Sequence, residues 1–277
     1  ILMSPFYFNH EMAVVMANCK PVLVPTDADY QLRLEAIEAA IGPRTRAVVT
    51  ISPNNPTGAV YDPEALARVN RLCRERGIYH IADEAYEYFV YDGARHFSSG
   101  SLPDTAEHTL SLFSFSKSYS LANWRVGYGV IPIHLLRAFE KVQDTILICP
   151  PVVSQRAALG ALEAGPDYCR GYVEGLARTR RLCLARLEAL GPRCRVAPVK
   201  GAFYLPLQLD CPEHPMRVVE RLVRDFGVAA IPGTAFGWDK GCYLRIAYGA
   251  LEPDAVAAGM DRLIKGIEAV LDTSEAV

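Results

Sequence analysis

Residues 47–86 read AVVTISPNNPTGAVYDPEALARVNRLCRERGIYHIADEAY. Two short apolar runs, 47–52 and 78–82, are each followed by turn formers or acids, the pattern of strands buried on both faces. Between them, residues 63–76 carry helical spacing. Pro63 suits a first helical turn, where its missing N–H costs nothing, and Gly77 suits the position just past the end. Strand, helix and strand in succession predict a parallel pair joined by a crossover helix.

The same texture extends outward. Residues 22–25, 110–115 and 126–131 are further short apolar runs bounded by Pro, Gly, Asp or Ser. The fold class is therefore α/β, a mostly parallel sheet wrapped by helices. After residue 131 the pattern turns helical over 134–148, 152–164 and 168–190. A second α/β group follows, with strands at 202–207, 228–231 and 242–248 and helices at 215–226 and 253–271. In the last helix Val256, Met260, Leu263, Ile267, Val270 and Leu271 recur at helical spacing. The domain boundary is expected near residue 170, giving a large domain over 1–170 and a smaller one over 171–277.

Of the 277 residues, 51% are apolar and 22% charged, with a net charge of −2. Such a chain has the composition of globular domains rather than disorder, and it lacks the basic surplus of a nucleic-acid binder. No apolar run reaches the roughly 18 residues that a membrane span needs. Eight cysteines (Cys19, Cys73, Cys149, Cys169, Cys183, Cys194, Cys211, Cys242) stand apart with no C-x-x-C pair. They read as free thiols, mostly buried, in a reducing compartment such as the cytoplasm. The six histidines are equally dispersed, so no metal site is expected.

Four clusters carry chemistry, and three of them close a predicted strand, the edge at which open α/β sheets bind ligands. Ser52-Pro53-Asn54-Asn55-Pro56-Thr57-Gly58 is either a simple turn or a loop that points the Asn55 amide at a ligand oxygen. In Asp83-Glu84-Ala85-Tyr86 the first acid is either a helix cap or a buried carboxylate able to keep a pyridine nitrogen protonated. Ser114-Phe115-Ser116-Lys117-Ser118 holds one of only six lysines, with Arg125 eight residues on. Lys117 is either a solvated loop lysine or an amine activated by the nearby cation and by the apolar Phe113 and Phe115. Ser114, Ser116 and Arg125 are a plausible donor set for a phosphate. In the fourth cluster Arg245 interrupts the apolar run Tyr243-Leu244-Arg245-Ile246-Ala247, either as an edge charge or as a fork for a carboxylate.

Taken in this order, the clusters resemble the class I/II aminotransferases of fold type I, over essentially the whole chain. The resemblance implies pyridoxal 5′-phosphate (PLP) as cofactor, with Lys117 its Schiff-base lysine and Asp83 the partner of its pyridine nitrogen. It implies that Asn55 and Tyr86 bond the cofactor's phenolic oxygen, that Ser114 and Arg125 hold its phosphate, and that Arg245 clamps the substrate α-carboxylate. Pro5-Phe6-Tyr7-Phe8-Asn9-His10 is similar to the segment whose aromatic residue, here Tyr7, stacks on the ring, with His10 behind Asp83. An amino acid and a 2-keto acid would be the substrates, and a homodimer the assembly.

Tyr86–Gly93 with Trp124-Arg125-Val126-Gly127-Tyr128 and Ile148-Cys149-Pro150 most resemble transaminases acting on aromatic amino acids and methionine. The aromatics Phe6, Tyr7, Phe8, Tyr88, Phe89, Tyr119 and Trp124 point the same way. At about 25 cal/mol per Å² removed from water, they would favour a phenyl or indole side chain by a few kcal/mol. Other reactions of the same cofactor, namely β-elimination, decarboxylation or cyclisation, need the same Lys, Asp and Arg and stay open. So does the ligand-sensing module of a regulator. The family also has, upstream of the Pro5–His10 segment, an arm, a phosphate-cradling helix start and a tyrosine lent across the dimer. The opening Ile1-Leu2-Met3-Ser4-Pro5 therefore reads as the middle of a longer protein.

Overall fold

The computed structural model describes residues 1–249 and 252–274. Its first half is built on β1 (Leu2–Ser4), α1 (Phe8–Met16), β2 (Leu23–Pro25), α2 (Leu34–Ala40), β3 (Ala47–Ile51), α3 (Pro63–Glu75), β4 (Tyr79–Asp83), β5 (Thr109–Ser114), the one-turn α4 (Phe115–Ser118) and β6 (Gly127–Val130). Among the described residues the strands form a six-stranded sheet in the order β2-β1-β3-β4-β5-β6. All pairs are parallel except β5–β6. The crossover expected over 47–82 is therefore present, with β3 and β4 paired from Ala47 opposite Tyr79 to Ile51 opposite Asp83.

Local chemistry explains why α3 sits where it does. Asp62 caps its start by accepting from the Ala65 N–H at 2.9 Å, Pro63 occupies the first turn, and Gly77 follows the end in the left-handed region at φ 61°. Its apolar stripe buries Leu66, Val69 and Cys73 with Val48, Ile37 and Tyr61. Each fully buried Leu or Val side chain contributes about 1.5–3 kcal/mol relative to exposure. Asn70 sits in the same stripe and is 3% exposed, yet every polar atom there is satisfied. It donates to His80 Nδ1 and to Thr109 Oγ1, accepts from His108 at 3.0 Å, and Thr50 closes the network on the far nitrogen of His80.

The chain continues through α5 (Leu136–Ile146), α6 (Val152–Ala164) and α7 (Asp167–Leu187) to β7 (Cys194–Val196), β8 (Tyr204–Leu209), α8 (Pro215–Phe226), β9 (Ile231–Pro232), β10 (Cys242–Ala247) and α9 (Pro253–Ser274). The second sheet runs β7-β8-β10-β9 and is antiparallel throughout. α7 and α8 pack on α9. Leu176, Cys183 and Leu187 of α7, with Val218 and Leu222 of α8, share one core with Leu205, Leu207, Leu244 and Ile246 of the sheet. Residue 170, the expected boundary, falls inside α7.

A tight seam joins the two sheets. The Gly58 carbonyl accepts from both Lys200 and Gly201 N–H groups at 3.0 and 2.8 Å, and Ala202 N donates to Phe89 O at 2.9 Å. A Cβ on Gly58 would meet the Gly201 carbonyl at 2.9 Å, so only glycine lets the loop after β3 press on the strand entering β8. Leu136, Phe139, Val142 and Ile146 form an exposed apolar stripe along α5.

Candidate active site

Asn55, Asp83 and Lys117 all lie where β3, β4 and β5 end, because parallel strands deliver their C-terminal ends to one edge. The loop after β3 is buried throughout residues 51–59. Asn54 holds it together. Its Oδ1 accepts from Thr57 N at 3.1 Å and Thr57 Oγ1 at 2.8 Å, and its Nδ2 donates to Tyr61 at 3.1 Å. Asn55 takes no part in these bonds, and its Oδ1 accepts from Arg245 Nη1 at 2.8 Å.

Asp83 is the last residue of β4. His10 Nε2 lies 2.9 Å from its Oδ2, and Ala85 N donates to its Oδ1 at 3.1 Å. No helix starts at Asp83, so the capping alternative is reduced to that one turn bond. The neighbouring acid is differently employed: Glu84 is 2% exposed and takes His96 at 2.7 Å and Ser98 at 2.8 Å. Period-two alternation sends these two carboxylates to opposite sides.

Lys117 stands on α4 rather than in an open loop. Ser114 caps that turn by accepting from Ser116 N at 3.2 Å. Burial lowers the Lys117 pKa, and the charges of Arg125 and Arg245 lower it further. Arg125 holds a left-handed backbone at φ 52° and donates to Ala122 O at 2.7 Å. A non-glycine residue in that region costs of order 1 kcal/mol or more, and such strain concentrates at functional positions.

Arg245 projects from β10 between two rings, 4.4 Å above Tyr204 and 4.9 Å from Phe236. Its Nε is buried and has no hydrogen-bond partner among the described residues. Tyr86 is buried, and its hydroxyl meets that of Tyr204 at 2.6 Å. Burial foremost, then Tyr204, raises the Tyr86 pKa well above the phenol range. Tyr7 precedes α1 with its ring 4.9 Å from Phe8 and edge-on to His10 at 5.6 Å. Burial and the Asp83 charge raise its pKa, and Arg245 opposes them.

These mutual effects draw Lys117, Arg125, Arg245, Asp83, Tyr7 and Tyr86 into one neighbourhood. Among these six residues the positive groups Lys117, Arg125 and Arg245 outnumber the one carboxylate, Asp83, which suits an anionic ligand. Tyr204 and Phe236 belong to it and are not marked by the sequence: Tyr204 lies in an apolar run and reads as core, and Phe236 stands in the turn sequence Gly233-Thr234-Ala235-Phe236-Gly237. Conversely, Phe6 and Phe89 are core, at 7% and 0% exposure, and Trp124 faces solvent. A cavity of about 350 Å³ bounded by Ser4, Tyr30, Arg195, Trp238 and Tyr243 is lined by none of the cluster. Among the described residues no group of side chains has metal-ligand spacing, and no helix is long and apolar enough to cross a membrane.

The family model described as aminotransferase class I and II matches residues 1–263. The aromatic aminotransferase ISS1 of Arabidopsis thaliana is 34% identical over 98% of this chain and 69% of its own. The aspartate/prephenate aminotransferase of Thermus thermophilus is 36% identical over 91% of this chain and 65% of its own. The crystal structure of an aromatic aminotransferase from Pyrococcus horikoshii superimposes with a TM-score of 0.90 at 31% identity, covering all of this chain and 74% of that one.

Enzymes of this kind use PLP, and the residues present fit it. The cluster offers an amine for an aldehyde, a carboxylate for a ring nitrogen, and an amide and a phenol for a phenolic oxygen. Hydroxyls and Arg125 could take a phosphate, and the Arg245 Nε, with no partner among the described residues, leaves the fork a donor to spare. On the match from residue 1 to 263 and these relatives, the chain belongs to the class I and II aminotransferases, PLP-dependent transferases of fold type I.

Proposed function

We propose that this chain moves an amino group between an amino acid, aromatic or methionine, and a 2-keto acid, with Lys117 the amine that bonds the cofactor's aldehyde as a Schiff base. The observation that carries the reading is the setting of Lys117: half-buried on α4, with a pKa lowered by burial and by two arginines. A lowered pKa enlarges the neutral fraction of the amine, which is the form that attacks a carbonyl and accepts a proton. Bound PLP supplies the electron sink that makes the substrate α-carbon acidic.

The other roles follow from position. With PLP bound, Lys117 would be the base that takes a proton from the substrate α-carbon and the acid that returns it, on the same face, to the carbon across the C=N bond. Asp83, held by His10 and Ala85 N, presents its carboxylate to a ring nitrogen. Asn55 and Tyr86 serve the phenolic oxygen, and Ser114 and Arg125 the phosphate. Tyr7 stacks on the ring. Arg245 binds the substrate carboxylate through the fork edge that Asn55 leaves open, and the rings of Tyr204 and Phe236 exclude water around it.

Aromatic surface beside Arg245 supports an apolar donor, and the names of the relatives include both aromatic and aspartate/prephenate enzymes. The division into residues 1–170 and 171–277, a homodimer, and a cytoplasmic site belong to the same proposal. The apolar stripe on α5 supports an interface, and buried thiols in no disulfide, such as Cys73, Cys183 and Cys194, support a reducing compartment. A screen of amino donors against 2-keto acids tests the reading. Phenylalanine, tyrosine, tryptophan or methionine should exceed aspartate in kcat/KM, with one keto acid consumed for each formed. A charged donor in first place would overturn the substrate class. Ammonia or carbon dioxide as product would overturn transamination.

A further inference from the structure

Tyr204 is the first residue of β8 and is 5% exposed. It touches two of the residues assigned above in two different ways. Its hydroxyl lies 2.6 Å from that of Tyr86, its one hydrogen-bond partner among the described residues, and its ring lies under the Arg245 guanidinium at 4.4 Å. The β8–β10 pairing sets this up: Tyr204 lies opposite Ala247 and Arg245 opposite Pro206, so the ring and the fork emerge from neighbouring strands.

Burial raises the pKa of both phenols, so each keeps one proton at neutral pH. Two hydroxyls in one hydrogen bond spend one proton on each other and have one left over. If Tyr86 donates to Tyr204, it has nothing to give a third oxygen. If Tyr204 donates, the Tyr86 proton is directed outward and its O–H is polarised. Any acceptor placed before Tyr86 selects the second arrangement.

We propose that Tyr204 is a positioning residue for both halves of the site: its hydroxyl aims the Tyr86 proton at the cofactor's phenolic oxygen, and its ring fixes the Arg245 fork for the substrate carboxylate. The inference rests on the reading given under Proposed function. Nothing in the sequence motifs marks Tyr204, and it touches no reacting atom itself. Its two effects are separable, because a phenylalanine keeps the ring and loses only the hydroxyl.

The experiment uses the cofactor-loaded enzyme and follows the pH midpoint of the bound cofactor's absorbance, with circular dichroism to confirm the fold of each variant. A hydrogen bond donated to the phenolic oxygen favours its anion, so weakening that bond moves the midpoint up. Tyr204→Phe should raise it by about half a pH unit, the size expected for one weakened hydrogen bond. In a Tyr86→Phe background the same substitution should move nothing. Tyr204→Leu should give the Tyr204→Phe midpoint and in addition raise the KM for the amino donor about tenfold, the scale of one lost cation–π contact. An unmoved midpoint in Tyr204→Phe, an equal shift in both backgrounds, or a Tyr204→Leu KM equal to that of Tyr204→Phe would overturn the proposal. If the cofactor is on Lys117 and the midpoint is unmoved, this inference alone falls. If the cofactor is not on Lys117, the underlying reading falls with it.

Discussion

Arg245 donates through Nη1 to the side-chain oxygen of Asn55 at 2.8 Å, although 190 residues of chain separate them. The bond crosses the seam between the two sheets, beside the Gly58–Gly201 contact that holds the same loop against the strand entering β8. It means that the fork proposed for the substrate and the amide proposed for the cofactor are set by one contact. Arg245→Lys keeps the charge but cannot span Asn55 and a carboxylate together. It should raise the KM for the amino donor at least tenfold, with a smaller fall in kcat, as steady-state kinetics would show. An unchanged KM would place Arg245 outside the substrate site.

Asp83 is held from two sides, by His10 at 2.9 Å and by Ala85 N at 3.1 Å. If its charge keeps a ring nitrogen protonated, Asp83→Ala should cut turnover by several orders of magnitude and Asp83→Glu by fewer. His10→Ala should fall between wild type and Asp83→Ala, since it removes the support and leaves the carboxylate. Turnover of wild-type size in Asp83→Ala would leave the residue only its turn bond.

His80 is fully buried between Thr50 and Asn70, and burial pushes its pKa down to about 3. The folded state thus refuses a proton that the unfolded chain accepts below about pH 6.5. Between those two values the unfolded state binds more protons, so stability falls as pH drops, by up to about 1.4 kcal/mol per pH unit. His108 is shifted the same way and adds to the slope. Urea unfolding between pH 4 and pH 7 should show that decline, flattened in His80→Gln. Equal slopes for the two proteins would contradict the assignment.

Much of this was legible in the sequence, for identifiable reasons. The crossover through α3 announced itself because Pro63, the apolar stripe and Gly77 are each tied to a required backbone state. α6 and α8 were delimited for the same reason. Elements held mainly by tertiary contacts were not legible. β1 and β7 have three residues each, too few for a period, and α1 buries no residue, so it has no stripe to read. β9 was expected at 228–231 and is Ile231–Pro232, because its place is set by pairing with Leu244 and Arg245 rather than by its own composition. The candidate residues were legible as polar interruptions at the ends of apolar runs. Tyr204 and Phe236 were not, because their role depends on Arg245 lying over them.

The central claim is that Lys117 carries the cofactor. Borohydride reduction of the loaded enzyme followed by proteolysis and mass spectrometry reads it directly. The account predicts that the reduced cofactor is found on the peptide containing Lys117, and that Lys117→Ala yields no labelled peptide and almost no turnover. A label on a peptide containing Lys141 or Lys200, or full labelling of Lys117→Ala, would contradict it.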